Sequence, residues 1–417
     1  MNYDICVLGL GYIGLPTASI FATKGKKVLG VDVVPSVVET INAGKIHIEE
    51  PDLDVLVRAA VRSGNLRADI RPARATTYII AVPTPFHHTG AQDKKPDLSY
   101  VESATRSLAP VVSAGVLVIL ESTSPVGTTE KVRDWLLDEL RRVRSAEASA
   151  LAVTLHFAHC PERILPGQML KELVANDRIA GGLTPEAAQA AKELYRTFCT
   201  GEIFLTDART AEMAKLTENS FRDVNIAFAN ELSLVCEKLD INVWELIRLA
   251  NRHPRVKILQ PGPGVGGHCI AVDPWFIVDA APDEARLIRT AREVNDSKPA
   301  RVLAWIRRAA AKFPQPVIAC LGLAFKADVD DLRESPAVGI VEQLARNFSG
   351  EILAVEPHIK TLPAALAAGG KVILTDAASA LARANVVVLL VNHRQFGEID
   401  RRKLDGKAVI DTRGYWQ

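Results

Sequence analysis

The sequence lacks a charge excess of either sign, because its 50 lysine and arginine residues balance 49 aspartate and glutamate residues. It therefore offers neither a basic surface for nucleic acid nor an acidic segment for a basic partner. Aromatic residues make up only 6% of the 417 residues, which argues against a platform for stacking nucleic-acid bases. We expect no nucleic-acid partner.

Cysteine pairs and long apolar runs are also missing. None of the six cysteines lies within ten residues of another, so there is no CxxC metal or redox pair, and scattered cysteines fit a reducing compartment. Strongly apolar runs, such as 386–391, are far too short to span a bilayer. The first residues lack a basic region followed by a long apolar stretch, so they predict a strand and not a signal peptide. We expect a cytoplasmic protein with no membrane partner.

Alternating strand and helix patterns fill the first 205 residues. Buried-strand patterns lie at 4–9, 28–32, 78–82, 116–120 and 155–159, with helical stretches between them. This alternation predicts a parallel sheet with helices on both faces. A second α/β pattern begins near Val317. The predicted fold class is α/β, with two Rossmann-like doubly wound domains.

The segment between these patterns is helical. Residues 208–238 contain neither glycine nor proline and predict one long helix of about 45 Å, at about 1.5 Å per residue. Its second half is apolar almost all round, which is typical of burial on several sides, and a partner subunit could supply part of that cover. Residues 296–316 predict a further helix that ends in a proline-bounded linker. The predicted domains are 1–205, 206–300 and 301–417, with a homodimer or higher homo-oligomer formed through the middle one.

A glycine pattern indicates the cofactor. Gly9, Gly11 and Gly14 fit G-x-G-x-x-G between a predicted strand and a predicted helix, where the glycines allow a tight turn, approach to a pyrophosphate, and helix packing. Asp32 ends the second strand, where a carboxylate binds ribose hydroxyls and repels a 2′-phosphate. The pattern predicts NAD rather than NADP; the alternative is a structural turn without a ligand. The second α/β pattern has Gly322 but no such motif, so we expect a nucleotide diphosphate there.

A glycine-rich loop at 261–269 ends at Cys269. Glycines allow positive φ and bring backbone close to a ligand. If a helix or turn begins there, its N–H groups would stabilise a thiolate and lower the thiol pKa. Asp273 follows four residues later. The alternative is a small core cysteine, the interpretation that we keep for Cys6, Cys160, Cys199, Cys236 and Cys320.

Other polar residues fall where sites commonly form. Lys215, Asn219 and Arg222 share one helix face, either as a solvated stripe or as groups aimed at a negatively charged intermediate. Glu162 and Thr123 each follow a predicted strand, at the edge where open α/β sites form, although either motif could be a plain loop. The nine histidines form no obvious metal-binding set, so we expect no metal.

Together these residues resemble the UDP-glucose/GDP-mannose dehydrogenase family. In family order the motifs are GLGYIG at 9–14, ESTSPVGT at 121–128, PERILPG at 161–167, AEMAKLTEN at 211–219, GPGVGGHCIAVDP at 262–274 and FKADVDDLRESP at 325–336. Within the family, IHIEEPDL at 46–53 and INVWELIRLANRHPRV at 241–256 are similar to members that oxidise UDP-N-acetyl-D-mannosamine. The resemblance covers nearly all of the chain and departs mainly at 140–155 and in the last hundred residues, outside FKADVDDLRESP.

The resemblance implies a four-electron oxidation of the sugar C6 hydroxyl by two NAD. Cys269 would attack the aldehyde to form a thiohemiacetal, a second hydride transfer would leave a thioester, and water would release the uronate. Lys215 and Asn219 would stabilise oxyanions, and Lys215 could also move protons. Glu162, Thr123 and Asp273 would orient water or transfer protons, and the base of the first step stays open. The resemblance also implies a bacterial surface polysaccharide as the destination of the product.

The family motifs also imply the binding residues. The expected NAD site consists of Gly9, Gly11, Tyr12, Ile13, Gly14, Asp32, Thr84, Thr123 and Arg333. The expected UDP-sugar site, partly supplied by a partner subunit, consists of Arg163, Ile164, Lys215, Asn219, Arg222, His253, Arg255, Gly266 and Lys326.

Three alternatives remain open. The substrate could be UDP-N-acetylglucosamine or UDP-glucose, which parallel assays would separate. The chain could be a non-catalytic NAD-sensing protein, against which the presence of Lys215, Asn219 and Cys269 argues. It could also be a two-electron dehydrogenase without a covalent step.

Overall fold

A computed structural model describes residues 3–48, 50–87, 94–164, 167–267 and 269–416 of the chain. Two compact units are present: Met1–Glu218 with Trp275–Ala280, and Asn219–Pro274 with Ala281–Gln417. Each unit is described by itself. None of the helices in the described part of the chain combines the length and hydrophobicity needed to cross a bilayer.

Eight short strands form the sheet of the first unit. They are β1 (Tyr3–Leu8), β2 (Val28–Val31), β3 (Leu66–Asp69), β4 (Ala75–Ile80), β5 (Leu117–Leu120), β6 (His156–His159), β7 (Arg178–Gly182) and β8 (Ile203–Asp207). Their order is β3-β2-β1-β4-β5-β6-β7-β8, in which the first six strands follow the order typical of dinucleotide-binding folds. The sheet is parallel except between β6 and β7, which pair antiparallel with Ala158 opposite Gly182. The predicted parallel sheet therefore contains one reversal.

Helices cover both faces of this sheet, as predicted. Side chains alternate along a strand, so Ile5 and Val7 of β1 enter one core while Cys6 and Leu8 enter the other. The first core is closed by helices α1 (Gly14–Thr23), α2 (Pro35–Asn42), α3 (Leu53–Arg62), α7 (Met169–Ala175) and α8 (Pro185–Tyr195). The second is closed by α4 (Ser99–Ser107), α5 (Thr128–Val143) and α6 (Ser145–Ala152).

The long helix is present with the predicted bounds, as α9 (Ala208–Lys238). It is followed by α10 (Val243–Ala250), α11 (Asp273–Ala280) and α12 (Arg286–Ala310). Helix α12 begins ten residues before the predicted start at 296 and contains Pro299 within its length. The predicted domain limits at 205 and 300 fall inside β8 and α12, and the division into three domains stays a prediction.

The second unit contains a five-stranded parallel sheet. Its strands are β9 (Val317–Leu321), β10 (Glu351–Val355), β11 (Val372–Leu374), β12 (Val386–Leu389) and β13 (Ala408–Asp411), in the order β11-β10-β9-β12-β13. One face packs against α12, α13 (Pro336–Asn347) and α14 (Ala364–Ala367), and the other against α15 (Ala377–Arg383) and α16 (Arg394–Gly397). The predicted fold class, two doubly wound α/β parts and a helical middle part, is confirmed.

Candidate functional site

The turn after β1 has the geometry that a dinucleotide phosphate requires. Gly9 has φ of +88°, and a Cβ at Gly14 would lie 1.9 Å from the carbonyl oxygen of Gly9. Both positions therefore need glycine for the fold itself. A Cβ at Gly11 would meet no protein atom within 4 Å. Glycine at this open position leaves the backbone accessible to a ligand, and α1 begins at Gly14, so the positive end of its dipole favours an anion there.

Asp32 lies beside this turn, just after β2. Its Oδ2 accepts a hydrogen bond from the backbone N–H of Leu10 (3.1 Å), and its Oδ1 accepts one from the N–H of Val34 (3.0 Å). Both carboxylate oxygens are thus oriented by backbone, next to the strand-order switch between β1 and β4. Ribose hydroxyls bind at such an acid in dinucleotide-binding folds, so the predicted residues fit NAD.

The next strand ends carry the predicted threonines. Thr84 follows β4, and its Oγ1 donates a hydrogen bond to the carbonyl of Thr123, which follows β5 (2.6 Å). Ser122 donates to the carbonyl of Val82 (2.7 Å). These bonds join the two loops at the C-terminal edge of the sheet, where ligands bind in folds of this type.

Glu162 lies after β6 and is buried. Its Oε2 accepts from the Arg178 guanidinium (2.6 Å), and its Oε1 accepts from the N–H of Arg163 (2.8 Å). Arg163 itself pairs with Glu218 (2.6 Å). Ile164 packs against the first core, and Leu165 and Pro166 of the same motif lie outside the described residues. The carboxylate of Glu162 is held in one orientation.

Lys215 lies on the part of α9 that belongs to the first unit. Its charge reaches His159, the last residue of β6, which is fully buried. Burial, with the Lys215 charge as a smaller cause, lowers the pKa of His159 to about 3. The imidazole is therefore neutral throughout the physiological pH range.

Three predicted catalytic residues meet in the second unit. Asn219 of α9 donates from Nδ2 to Oδ2 of Asp273, which is buried at the start of α11. The backbone N–H of Asp273 donates to the carbonyl of Cys269 (2.8 Å), so a turn begins at the cysteine. Cys269 is exposed, whereas the other five cysteines are buried. His268, in the same motif, lies outside the described residues.

The glycine-rich loop packs against the motif that follows β9. A Cβ at Gly266 would lie 2.5 Å from the carbonyl oxygen of Glu334, and one at Gly267 would lie 3.1 Å from the Phe325 ring. Loop and motif are therefore in direct contact, next to Lys326. This packing accounts for glycine at 266 and 267, because any larger residue would separate the two segments.

Arg413, after β13, also faces the loop and was not predicted. A Cβ at Gly262 would lie 2.6 Å from Nη1 of Arg413, whose Nε donates to the carbonyl of Leu390 (3.1 Å). Burial lowers the pKa of Arg413 to about 10, against the opposing effect of Asp411. The only signal in the sequence was an arginine directly after a strand.

The remaining predicted binding residues named here are exposed or half-buried. Arg222 on α9 and both His253 and Arg255, after α10, are exposed. The Arg333 guanidinium forms a two-armed ion pair with Asp331. Tyr12 and Ile13 are half-buried at the glycine turn. Their ligand roles stay predictions.

Two features of the second unit lie apart from the predicted site. Among the described residues, donor atoms of Asp328, His358 and His393 lie within 4.8 Å of one another. However, Nδ1 of His393 accepts from the N–H of Asp328 (2.9 Å) and its Nε2 contacts Glu356 (3.0 Å), so both ring nitrogens already have partners. A cavity of about 460 Å³ is lined by Trp244, Trp305 and Lys298 among others, and by none of the predicted site residues.

Profiles of one family match three successive segments. They are described as the UDP-glucose/GDP-mannose dehydrogenase family NAD binding domain (residues 3–199), central domain (209–297) and UDP binding domain (319–417). The three matches follow the order of the motifs.

Relatives match over the whole chain. The chain is 60% identical to an NDP-N-acetyl-D-galactosaminuronic acid dehydrogenase of Ralstonia nicotianae, covering 99% of this chain and 96% of that protein. It is 55% identical to a UDP-N-acetyl-D-mannosamine dehydrogenase of Yersinia pestis, covering 100% of both. The solved structure of a UDP-D-ManNAc dehydrogenase from Pyrococcus horikoshii has a TM-score of 0.88 and 40% identity, covering 100% of this chain and 96% of that one.

The glycine turn with Asp32 accounts for the NAD binding domain, and the parallel sheet of the second unit accounts for the UDP binding domain. The chain therefore belongs to the UDP-glucose/GDP-mannose dehydrogenase family and is an NAD-dependent oxidoreductase that acts on a UDP-sugar.

Proposed function

We propose that this enzyme oxidises the C6 hydroxyl of UDP-N-acetyl-D-mannosamine to a carboxylate, with Cys269 as a covalent nucleophile. The observation that carries the proposal is the position of Cys269. It is the exposed one of six cysteines, and it begins the turn at which Asn219 and Asp273 meet. Relatives named UDP-N-acetyl-D-mannosamine dehydrogenase, at 54% to 56% identity, support the choice of sugar.

The overall reaction converts the alcohol, two NAD⁺ and one water into the carboxylate, two NADH and three protons. Bound NAD would supply the hydride acceptor, first for the alcohol and then for the Cys269-bound hemiacetal. The Cys269 thiolate adds to the aldehyde carbon, and the thiolate leaves again when water hydrolyses the thioester. Because the aldehyde stays bonded to sulfur, it is not released between the two oxidations.

The other predicted polar groups suit the proposed chemistry. The Lys215 ammonium and the Asn219 amide donate hydrogen bonds to the oxyanion that forms at C6 in each addition step. Asp273 fixes the orientation of Asn219 through their hydrogen bond. Glu162 and Thr123 contribute to proton transfer or to the orientation of water. Of the two, only Glu162 has a carboxylate, and it is buried.

UDP-N-acetyl-D-galactosamine is the second candidate substrate. It is favoured by the two relatives named NDP-N-acetyl-D-galactosaminuronic acid dehydrogenase, at 60% and 58% identity. The two sugars differ in the configuration at C2 and C4, while the C6 hydroxyl is common to both. The chemistry at Cys269 is therefore the same for either sugar.

The test is a panel of UDP-sugars with NADH stoichiometry. Purified protein is incubated with limiting UDP-N-acetylmannosamine, -galactosamine, -glucosamine or UDP-glucose and excess NAD⁺. We expect the highest kcat/KM with UDP-N-acetylmannosamine and two NADH per sugar consumed. One NADH per sugar, with aldehyde released, would contradict the covalent mechanism, and preference for another sugar would reassign the substrate.

The proposal includes a homo-oligomer formed through α9. Phe221, Phe228 and Val235 recur every seven residues and are exposed in the single chain, Phe221 by 71% and Phe228 by 55%. A seven-residue repeat places these side chains along one stripe of the helix. An exposed apolar stripe of this length is typical of a helix that packs against another helix, and a second copy of α9 is its partner in the proposal.

A further inference from the structure

A buried cluster of charged groups lies behind Glu162 in the first unit. Arg178 is the first residue of β7, and because β7 runs antiparallel to β6 it lies opposite the segment that continues β6 to Glu162. A parallel β7 would begin at the other edge of the sheet. The one reversal in the sheet therefore brings the guanidinium to the carboxylate.

Glu121, directly after β5, faces the same guanidinium. Its side chain is fully buried, and its Oε1 lies 3.9 Å from Nη1 of Arg178. Its Oε1 accepts a hydrogen bond from the Tyr195 hydroxyl (2.9 Å), and its Oε2 accepts one from the Thr17 hydroxyl (3.3 Å). Arg178 also lies over the Tyr195 ring, 4.6 Å from its centroid. Residues from α1, α8 and β7 thus converge on the Glu121 carboxylate, which follows β5.

The cluster holds two carboxylates and one guanidinium. With both acids ionised it has a net charge of −1 in a buried space, which is unfavourable. Burial, the largest cause, and the Glu162 charge together raise the pKa of Glu121 to about 7, while Arg178, Tyr195 and Thr17 oppose the rise. The titratable and charged groups that face Glu121 are Glu162, Arg178, Tyr195 and Cys160, and burial keeps the last a neutral thiol by raising its pKa.

We propose that Glu121 is a positioning residue whose charge, acting through the shared Arg178, controls proton transfer to Glu162 during the oxidation. This inference rests on the proposed function, in which Glu162 takes part in proton transfer. Glu121 itself touches only protein groups in this cluster. It acts by orienting Arg178 and by adding or removing one negative charge beside the Arg178–Glu162 pair.

The pH dependence has a definite sign. Below about pH 7 Glu121 is protonated, and Arg178 is balanced by Glu162 alone. As the pH rises through about 7, Glu121 loses its proton and adds a second negative charge beside the Arg178–Glu162 pair. In the proposed oxidation this charge favours proton transfer to the Glu162 carboxylate, so kcat increases. Folding raises the pKa of Glu121 from its ordinary value of 4.5 to about 7. The contribution of Glu121 to stability is therefore complete below pH 4.5 and is lost as the pH rises from there through about 7.

The first test compares kcat and KM from pH 5.5 to 9 in the wild type, Glu121→Gln and Tyr195→Phe. Glu121→Gln keeps the shape but cannot ionise, so we expect it to lose the rise in kcat near pH 7. At pH 8 its kcat should be about three- to tenfold below wild type, with KM for NAD unchanged. Tyr195→Phe removes one hydrogen bond to the carboxylate, so the rise should move to higher pH. Glu193→Gln, at an exposed position of α8, is the control.

The second test does not depend on activity. Infrared difference spectra across pH 7 should show the carbonyl band of a protonated buried carboxyl in the wild type and not in Glu121→Gln. An unchanged kcat profile in Glu121→Gln, or persistence of the band, would overturn the inference while leaving the proposed function intact. If the wild type forms no NADH from any UDP-sugar, the proposed function fails, and the infrared spectra still decide the charge state of Glu121.

Discussion

Cys269 differs from the other five cysteines in its solvent exposure in the folded structure. Burial raises the pKa of Cys6 and Cys320 to about 12, so these thiols are inert near neutral pH. Cys269 is exposed, and its carbonyl accepts the N–H groups of Val272 and Asp273 as α11 begins. A thiol must be accessible before its thiolate can act as a nucleophile. Exposure therefore separates the candidate from the core residues.

Removing this sulfur tests the covalent step. We expect Cys269→Ala to lower the rate of carboxylate formation by at least about 10³-fold, because no thioester can form. Binding of NAD should persist, since Gly9, Gly11 and Asp32 are unaffected. Isothermal titration with NAD and mass spectrometry of the sugar product measure the two effects. Cys236→Ala, at a buried position of α9, should retain turnover; normal acid formation by Cys269→Ala would mean that another residue is the nucleophile.

At the scale of elements, helix α9 has a buried polar side and an exposed apolar side. Buried polar groups line one side: Asp223 accepts a hydrogen bond from Arg292 (2.6 Å), and Asn230 donates to Asn295 (2.8 Å). The other side carries the exposed stripe of Phe221, Phe228 and Val235. These buried hydrogen bonds favour one packing of α9 against α12, because a shifted register would separate the bonded groups. The helix is thus fixed within its own chain while a second apolar surface stays available.

A charge within the stripe tests its role in assembly. We expect Phe228→Glu to weaken self-association by more than tenfold, because a carboxylate buried between two helices would have no partner. Light scattering after size-exclusion chromatography, over a range of protein concentrations, measures the change. Leu287→Glu, which places the same charge at a site of 68% exposure outside the stripe, should leave the assembly unchanged. A wild type that is monomeric at all concentrations would contradict the proposed oligomer.

Helices marked by a strong local sequence pattern were predicted correctly. Features without such a pattern were not. The absence of glycine and proline gave the bounds of α9, and G-x-G-x-x-G located the turn before α1. Helix α12 was placed too late: it begins at Arg286, and it continues through Pro299, a residue that usually disfavours a helix interior. The antiparallel β7 left no signal, since strand direction depends on the path of the connection and not on the strand residues. Arg178 and Glu121 were missed for the same reason, as only the reversal brings them together.

At the scale of the molecule, the two units repeat one arrangement. Gly322 after β9 has φ of +94° and donates to Val355, as Gly9 with φ of +88° donates to Val31. Glu356 after β10 accepts from the backbone N–H groups of Leu323 and His358, as Asp32 accepts from those of Leu10 and Val34. The difference is His393, which contacts Glu356 in the second unit. This similarity was visible in the sequence only as Gly322.

Removing the His393 imidazole should destabilise the second unit. Burial raises the pKa of Glu356, but hydrogen bonds from His393 and the backbone outweigh it, so the pKa lies below its ordinary value. Its contribution to stability is therefore present above about pH 4.5 and is lost as the pH falls through the folded-state pKa. We expect His393→Ala to lower the free energy of unfolding by about 2 to 4 kcal/mol at pH 7, and acid unfolding to begin at a higher pH. Urea titrations at pH 7 and pH 5 measure both.

His358→Ala is the matched control for that prediction. The His358 side chain is 30% exposed and lies 3.9 Å from Asp328, and its backbone N–H, which serves Glu356, is kept in the variant. Its effect should stay below about 1 kcal/mol. Equal destabilisation by the two substitutions would show that the His393–Glu356 contact is not the cause.

We expect the contact between His393 and Glu356 to limit how many dinucleotides one chain can hold. Because His393 belongs to the same chain, its effective concentration at the Glu356 carboxylate is higher than that of a free nucleotide. It therefore competes with a ribose for that carboxylate. In the second unit, His393 thus contacts the carboxylate that corresponds to Asp32, and we expect this contact to disfavour a second NAD there. Titration to saturation should accordingly end at one NAD per chain, and in the proposed mechanism the two oxidations would use successive NAD molecules at the site beside Asp32.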